Sequence, residues 1–489
     1  MPELITAVNK GFGFVKMTGM KVMRKHLALV TTVSVLLTAC GGGGGGGGGS
    51  SLQLPTPLIC TLAQIEQNGA CVSAANHCTA DAEKVWVRGH LDDVYLWYNE
   101  IQDKPRADYQ TPESYFDALL VKSKDHFSFT GNQAEIEAMQ ESGLDIGYGI
   151  TWVNDPASNN LVRVAFVEPN SPAASQGIVR GDILDTIDDR SAWSFTQTDF
   201  VAALYPEAPG VAKVFGLYNP VAGQSKKVSL KSAELTHDPV PLVSVLTMPD
   251  DGKKVGYLLF NDHIATATDK LVNAVSQFKT AKIDDLVLDV RYNGGGYLYI
   301  ASALAAMIGG QSTTGHIFSA FEYNDKHGAD NSARFFEQTD DYARPLPLLN
   351  LKRLFVLTSP ETCSASEAII NSLMPYMPVI RIGSTTCGKP YGFLQENNCG
   401  TTYFAIRFKG VNSIGQTVPV TGYAPTCAAG DNLDFALGDS REKLLATALY
   451  YRSNGSCPLS SLSQSRRAVQ PDSVQEVKRA PWRNNMMLR

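Results

Sequence analysis

Apolar and polar positions change rhythm three times along the chain, and each change predicts a different set of elements. Between residues 140 and 235 the apolar positions come in short alternating runs, at 144–153, 161–167, 182–187, 211–217 and 226–230, which predicts five strands. Among them Ser171-Pro172-Ala173-Ala174 opens a short helix that ends at Gly177, with proline in its first turn and glycine at its end. From 255 to 457 strand-like apolar runs at 255–260, 286–290, 354–357 and 379–382 alternate with helical spacing at 269–279, after Tyr297 and at 368–373. That is an α/β pattern. Upstream, residues 81–98 carry Val85, Trp86, Leu91, Val94, Tyr95 and Trp97 at helical spacing, with the aromatics expected to pack rather than to hold a ligand. Beyond Cys457 the chain turns polar and periodicity fades, apart from Pro481-Trp482, so this part reads as a mobile tail that docks late if at all.

The first 60 residues show none of these rhythms. Lys21, Arg24 and Lys25 precede an apolar stretch over 27–37, the arrangement of a secretory signal, and eleven residues are too few to span a bilayer. The stretch ends in Leu37-Thr38-Ala39-Cys40, which resembles a bacterial lipobox and implies lipid on Cys40; a cleaved soluble-secretion signal is the alternative. Residues 1–19 fit no signal architecture, and Met20 or Met23 is the better-placed start. Nine consecutive glycines, Gly41 to Gly49, then form a flexible tether, with a reach of about 20 Å for about a dozen residues.

Length and composition narrow the class of protein. A chain of 489 residues suggests two or three domains, and 44% hydrophobic with 18% charged residues is ordinary globular protein, not a disordered, collagenous or multi-span membrane chain. Net charge is −6, and the part from Cys40 onward has 37 basic and 47 acidic residues, or −10, which leaves no footprint for nucleic acid. Besides Cys40 there are eight cysteines, at 60, 71, 78, 363, 387, 399, 427 and 457; an even number in an exported chain favours disulfides. Three lie before residue 80 and five after 360, so full pairing requires a bridge between the two ends. Cys387 with Cys399 and Cys427 with Cys457 are the pairs expected. Zinc is the competing reading, weakened because no CxxC pair exists and His77 stands alone beside Cys78.

Candidate chemistry sits at two turns. The run Asp289-Val290-Arg291-Tyr292-Asn293-Gly294-Gly295-Gly296 ends a strand in three glycines whose N–H groups can face a ligand, and no Lys-Ser/Thr comes after them to make a nucleotide loop. Thr362-Cys363-Ser364-Ala365-Ser366-Glu367 precedes an apolar helix, and Ser364 with Glu367 fits a capping box whose only task is to satisfy helix amides. Twenty-five residues later, past a strand, comes Gly388-Lys389.

Together these segments resemble the S41, or C-terminal processing, peptidase family: the Gly-Tyr-Leu-Leu-Phe strand at 256–260, the D-x-R-x-N-x-G-G turn at 289–296, S-A-S-E at 364–367 and the Gly-Lys pair. The resemblance implies a ClpP/crotonase-like α/β core with Ser364 as nucleophile and Lys389 as its base. Residues 140–235, with Gly147-Tyr148-Gly149-Ile150, Ser171-Pro172-Ala173-Ala174 and Gly177-Ile178-Val179-Arg180-Gly181-Asp182, resemble an inserted PDZ domain of the bacterial protease type. There the N–H groups of Tyr148, Gly149 and Ile150 would hold a substrate carboxylate while an extended chain adds as a strand. The implied organisation is 1–39 signal peptide, 40–59 lipidated tether, 60–139 small N-terminal helical region, 140–235 PDZ-like domain, 236–457 protease core and 458–489 tail. The likeness covers roughly residues 85–455.

The bottom-up chemistry agrees with it. A lysine removes the serine proton only when its amine is neutral, and burial favours that form. Ala365 N–H at the helix start and Gly295 N–H would stabilise the oxyanion. One position departs from the family pattern. Phe393 stands where the family often has a glutamine that holds the amine, leaving Gln395 or another group to orient Lys389. A histidine base, as in tricorn-like relatives, would fall at Phe127 rather than at the neighbouring His126, and His263 is a weaker candidate. The expectation is a serine endopeptidase acting on proteins or peptides, with no cofactor or metal. It is placed by lipid in a bacterial cell envelope, on the periplasmic face of the outer membrane. The rivals are an inactive peptide-binding lipoprotein and an esterase or amidase acting on wall material.

Overall fold

The computed structural model describes residues 60–68, 70–155, 161–459, 475–477 and 486–488; Cys40, the glycine run and the signal-like segment lie outside the described residues. The first helices start where short polar side chains satisfy their free amides. α1 (Ala80–Val94) is capped by Thr79, α2 (Pro112–Leu119) by Thr111 with proline in the first turn, and α3 (Gln133–Ser142) by Asn132, before Gly143 ends it at φ 71°. Val87, Leu91 and Val94 of α1 enter the main core, as do Tyr115, Phe116 and Leu119 of α2.

Next in the chain is a seven-stranded antiparallel sheet, built on β1 (Ile150–Asp155), β2 (Leu161–Val167), β3 (Ile183–Ile187), β4 (Ala212–Asn219) and β5 (Gln224–Lys231), in the order β5-β4-β3-β2-β1. The strand expected over 144–153 is broken in two. Leu144–Gly147 pairs with Ala233–Thr236, and β1 begins after Gly149, whose φ of 80° and position, with a Cβ only 2.2 Å from Ser171 Cβ, admit no side chain. Tyr148, Trp152, Val164, Leu184 and Phe215 form this sheet's own core.

The second sheet has six strands: β6 (Leu242–Thr247), β7 (Lys254–Leu259), β8 (Asp285–Asp289), β9 (Leu354–Thr358), β10 (Val379–Gly383) and β11 (Cys427–Ala428), in that order. β6 runs antiparallel on β7, and all the other pairs are parallel. Both faces are covered, which is why the strands read as continuous apolar runs. Leu258, Leu288 and Val356 point into one core with α4 (Ala267–Ala281), α5 (Leu298–Gly309) and α6 (Ala365–Leu373), while Tyr257, Val287 and Phe355 point into another with Leu444 and Leu445 of α7 (Lys443–Asn454). All twelve residues of α5 are buried.

A buried charge network joins the two sheets. Arg291, fully buried at the end of β8, is held by Asp289, Asp431 and Glu442 at 2.7, 2.7 and 2.9 Å. Arg180, from the loop before β3, donates to Tyr292 Oη at 2.7 Å and pairs with Asp431, which also accepts from Tyr292 Oη. Three carboxylates face two guanidinium groups, with the hydroxyls of Tyr257 and Tyr292 as further donors, so desolvation is offset by hydrogen bonds and losing one partner would strand the rest.

The eight cysteines form four disulfides: Cys60–Cys71, Cys78–Cys399, Cys363–Cys387 and Cys427–Cys457. The expected bridge between the two ends is Cys78–Cys399, and Cys427–Cys457 is as expected. Cys387 does not pair with Cys399. The loop bearing Cys387 lies against the start of α6, where Cys387 N–H donates to Thr362 O at 3.0 Å. Two described segments of the tail are docked: β12 (Gln475–Glu476) on β1, and β13 (Met486–Met487) on the short strand Gly296–Tyr297.

Candidate active site

Three segments meet beyond the carboxyl ends of β8, β9 and β10. The turn after β8 and the start of α6 are tied together by Thr362 Oγ1 to Val290 O, Cys363 N to Asn293 O and Ser366 Oγ to Asn293 O, at 2.9, 3.1 and 3.0 Å. Ser364 caps α6 with φ 59° and ψ −112°, a conformation costing a non-glycine residue about 1–3 kcal/mol. Ser364 and Glu367 stand in capping-box positions. Glu367 Oε2 accepts from Ser364 N at 2.9 Å, but the fully buried Ser364 Oγ makes no hydrogen bond among the described residues. Its hydroxyl is therefore not spent on the helix. Ala365 N–H, the first amide of α6, has no intrahelical acceptor.

The third segment carries Lys389, also fully buried. Glu367 ties it to the serine: the oxygen that accepts from Ser364 N also accepts from Lys389 N at 2.9 Å, and its other oxygen accepts from Gly388 N at 2.9 Å and from Thr386 Oγ1. Gly388 is required here, because at φ 84° a Cβ would lie 2.4 Å from Val420 O. Lys389 Nζ sits between two aromatic rings, 3.8 Å from the Phe393 centroid and 5.2 Å from that of Phe127. Burial holds the amine well below its usual value, against the charges of Asp125 and Glu367, which act to raise it. The cation–π contacts favour the charged form as well, but by roughly 1–2 kcal/mol, less than desolvation of a fully buried amine.

Several expectations are changed by this geometry. Gln395 donates to Asn397 Oδ1 at 3.2 Å, so Phe393, with Phe127, takes over contact with the lysine amine. Phe127 is positioned by Asp125, whose Oδ1 accepts from the Phe127 and Ser128 amides and whose Oδ2 accepts from Tyr95 Oη. His126 is exposed, and no contact brings it to Lys389. His263 is buried beside the glycine turn with Nδ1 on Asn293 Oδ1 at 2.9 Å, and burial pushes it down to about 3, so it is neutral and holds Asn293. Gly295 N–H, expected in the oxyanion hole, is already donated to Asn293 Oδ1 at 2.9 Å, because the asparagine folds back on its own turn. Ala365 remains in place for that task. Cys363, Glu367 and Cys387 bring ligand-type atoms within 4.8 Å of one another, yet the two sulfurs are bonded to each other, which removes the thiolates a metal would use.

In the antiparallel sheet, the carbonyls of Tyr148 and Gly149 accept from Ala173 and Glu168 amides, at 3.1 and 2.9 Å. This fixes the loop with Ile150 at the start of β1.

The Cys363–Cys387 bridge fastens the residue before Ser364 to the lysine loop. Replacing both with alanine is expected to lower stability by about 3 kcal/mol, as for a closed loop of this size, and to lower peptide turnover. Denaturant unfolding and initial rates of the two proteins check this, and unchanged turnover would show that Glu367 alone suffices.

Residues 254–397 match the peptidase family S41, and residues 82–129 match the peptidase S41 N-terminal domain. A carboxyl-terminal-processing protease of Picosynechococcus is 26% identical over 260 residues, covering 52% of this chain and 56% of the relative. The chloroplastic C-terminal processing peptidase of Tetradesmus obliquus is 25% identical over 287 residues, covering 57% and 58%. The chain thus matches a little over half the length of these relatives. A Bacteroides fragilis structure described as an S41 protease shares the fold, with a TM-score of 0.61 at 24% identity over 75% of this chain and 97% of that one.

Proposed function

We propose that this chain is a serine endopeptidase that works through a Ser364–Lys389 dyad. Neutral Lys389 takes the Ser364 proton as Oγ attacks a peptide carbonyl; the oxyanion is met by Ala365 N–H; the lysine then gives its proton to the leaving amine, and water resolves the acyl-enzyme by the same route. The observation that carries this reading is the strained, buried Ser364 with its Oγ unused by the helix it caps, joined through Glu367 to a buried lysine. Substrates are protein or peptide chains whose ends are captured at Tyr148, Gly149 and Ile150 of the PDZ-like sheet and which add as a strand along β1. A fluorophosphonate probe is expected to label wild-type protein at Ser364 and to leave Ser364→Ala unlabelled. Labelling elsewhere, or retained peptide cleavage in Ser364→Ala, sinks the reading.

Lipid on Cys40 would hold this body at the periplasmic face of the outer membrane, with the glycine run as spacer. Cys40→Ser is expected to move the protein from the membrane fraction to the soluble fraction. An unchanged distribution would remove the anchor from the proposal.

A further inference from the structure

We propose that two pieces of the tail, residues 475–477 and 486–488, are substrate-like ligands of their own enzyme, the first on the edge of β1 and the second between the glycine turn and the lysine loop. The proposal rests on the peptidase reading above and adds what occupies the site at rest.

One described piece lies on the β1 edge assigned above to substrate, and the other lies against the glycine turn and Phe393 beside the dyad. The first piece pairs antiparallel with the free edge of β1, Gln475 opposite Asn154 and Glu476 opposite Val153, and Val477 N–H donates to Trp152 O at 2.9 Å. Val477 also packs against this sheet's core. β1 is the edge beside Tyr148, Gly149 and Ile150, so the edge where a substrate strand would add is already taken.

The second piece is bound on both sides. Met486 and Met487 run parallel to Gly296 and Tyr297, immediately after Gly295 of the turn. On the other side Met487 bridges to Phe393, and Leu488 N–H donates to Phe393 O at 3.2 Å. Phe393 is the residue whose ring lies under the Lys389 amine. Met487 is anchored as a specificity residue would be, only 2% exposed and with Gln140 Nε2 at 3.4 Å from its sulfur. The segment therefore marks the cleft as a lane for an extended chain with an apolar side chain at the Met487 position. Main-chain pairing supplies affinity for any sequence, and that buried position selects.

A tethered ligand competes at an effective concentration on the order of millimolar, so a substrate at micromolar concentration meets an occupied site. Entry requires that residues 475–477 leave β1 or that 486–488 leave the cleft.

The test compares wild type with a chain ended after Leu459 and with the full-length double variant Val477→Asp, Met487→Asp, which keeps the chain at full length should truncation disturb the fold. Fluorophosphonate labelling of Ser364 and peptide hydrolysis are expected to rise on the order of tenfold or more in both, and a synthetic 475–488 peptide is expected to slow the truncated protein again. Hydrogen exchange on the Ser364→Ala forms is expected to show lost protection at 150–154 and 296–297 when the segment is removed. Equal labelling with unchanged exchange overturns the proposal. If no form labels, the peptidase reading fails and exchange alone decides: lost protection upholds the self-ligand, and unchanged protection overturns it.

Discussion

Lys389→Met is expected to lower kcat/KM for peptide hydrolysis by about 10³-fold, the scale of a lost general base, and to make the folded protein more stable. Both effects have one cause. Lys389 is buried between Phe127 and Phe393, and burial is the largest influence pulling its pKa down. Methionine fits that apolar channel without carrying an amine into it. In the unfolded chain the amine returns to about 10.5. Between the depressed folded value and that figure, the unfolded state holds a proton that the folded state lacks, so wild-type stability rises as pH rises through this window. The variant loses that slope and gains most at the lower end. Activity has the matching sign, since turnover falls as pH drops through the folded pKa and the base becomes protonated. Urea unfolding across about pH 6 to 10 checks the first statement, and a pH–rate profile checks the second. A variant with wild-type turnover would remove Lys389 from the mechanism.

Glu367→Ala carries the second large effect, a loss of about 4 kcal/mol or more. The carboxylate is fully buried and accepts from four donors, the amides of Ser364, Gly388 and Lys389 and the hydroxyl of Thr386. Alanine leaves all four without a partner, at about 1–3 kcal/mol each where water cannot enter. The loss also uncouples Ser364 from the lysine loop, so on the proposed reading residual folded protein is expected to turn over poorly. Glu367→Gln keeps the shape but offers one acceptor oxygen in place of two, and should lie between. Thermal unfolding with activity on the folded fraction tests both. An alanine variant within about 1 kcal/mol of wild type would mean that the donors find other partners.

Much of the core could be read in advance, because the parallel strands are buried on both faces and appear as unbroken apolar runs, as at 286–288 and 354–357. Ser364 stood out through S-A-S-E, and Lys389 through the Gly-Lys pair twenty-five residues later. Glu367 was visible only as half of a capping box, since its service to Gly388 and Lys389 depends on contacts 21 and 22 residues away. Phe393 looked like a missing glutamine, and nothing local told that a ring face would meet the amine. Gly295 was assigned from its turn without the asparagine two residues earlier, whose side chain competes for the same N–H. Cys78–Cys399 spans 321 residues, and spacing cannot select one such pairing among many. The docked segments of the tail have no periodicity because two- or three-residue strands borrow their order from the surface they join.

On the proposed peptidase reading, the disulfide beside Ser364 would also time the onset of activity. A newly made chain in a reducing compartment already holds Ser364 and Lys389, yet the residue before Ser364 and the loop bearing Lys389 are not fastened together. Cys78 and Cys399 likewise stay apart until most of the sequence exists. Oxidation after synthesis would complete both clasps, so the proposed exported peptidase would be least organised for catalysis while its cysteines are still reduced.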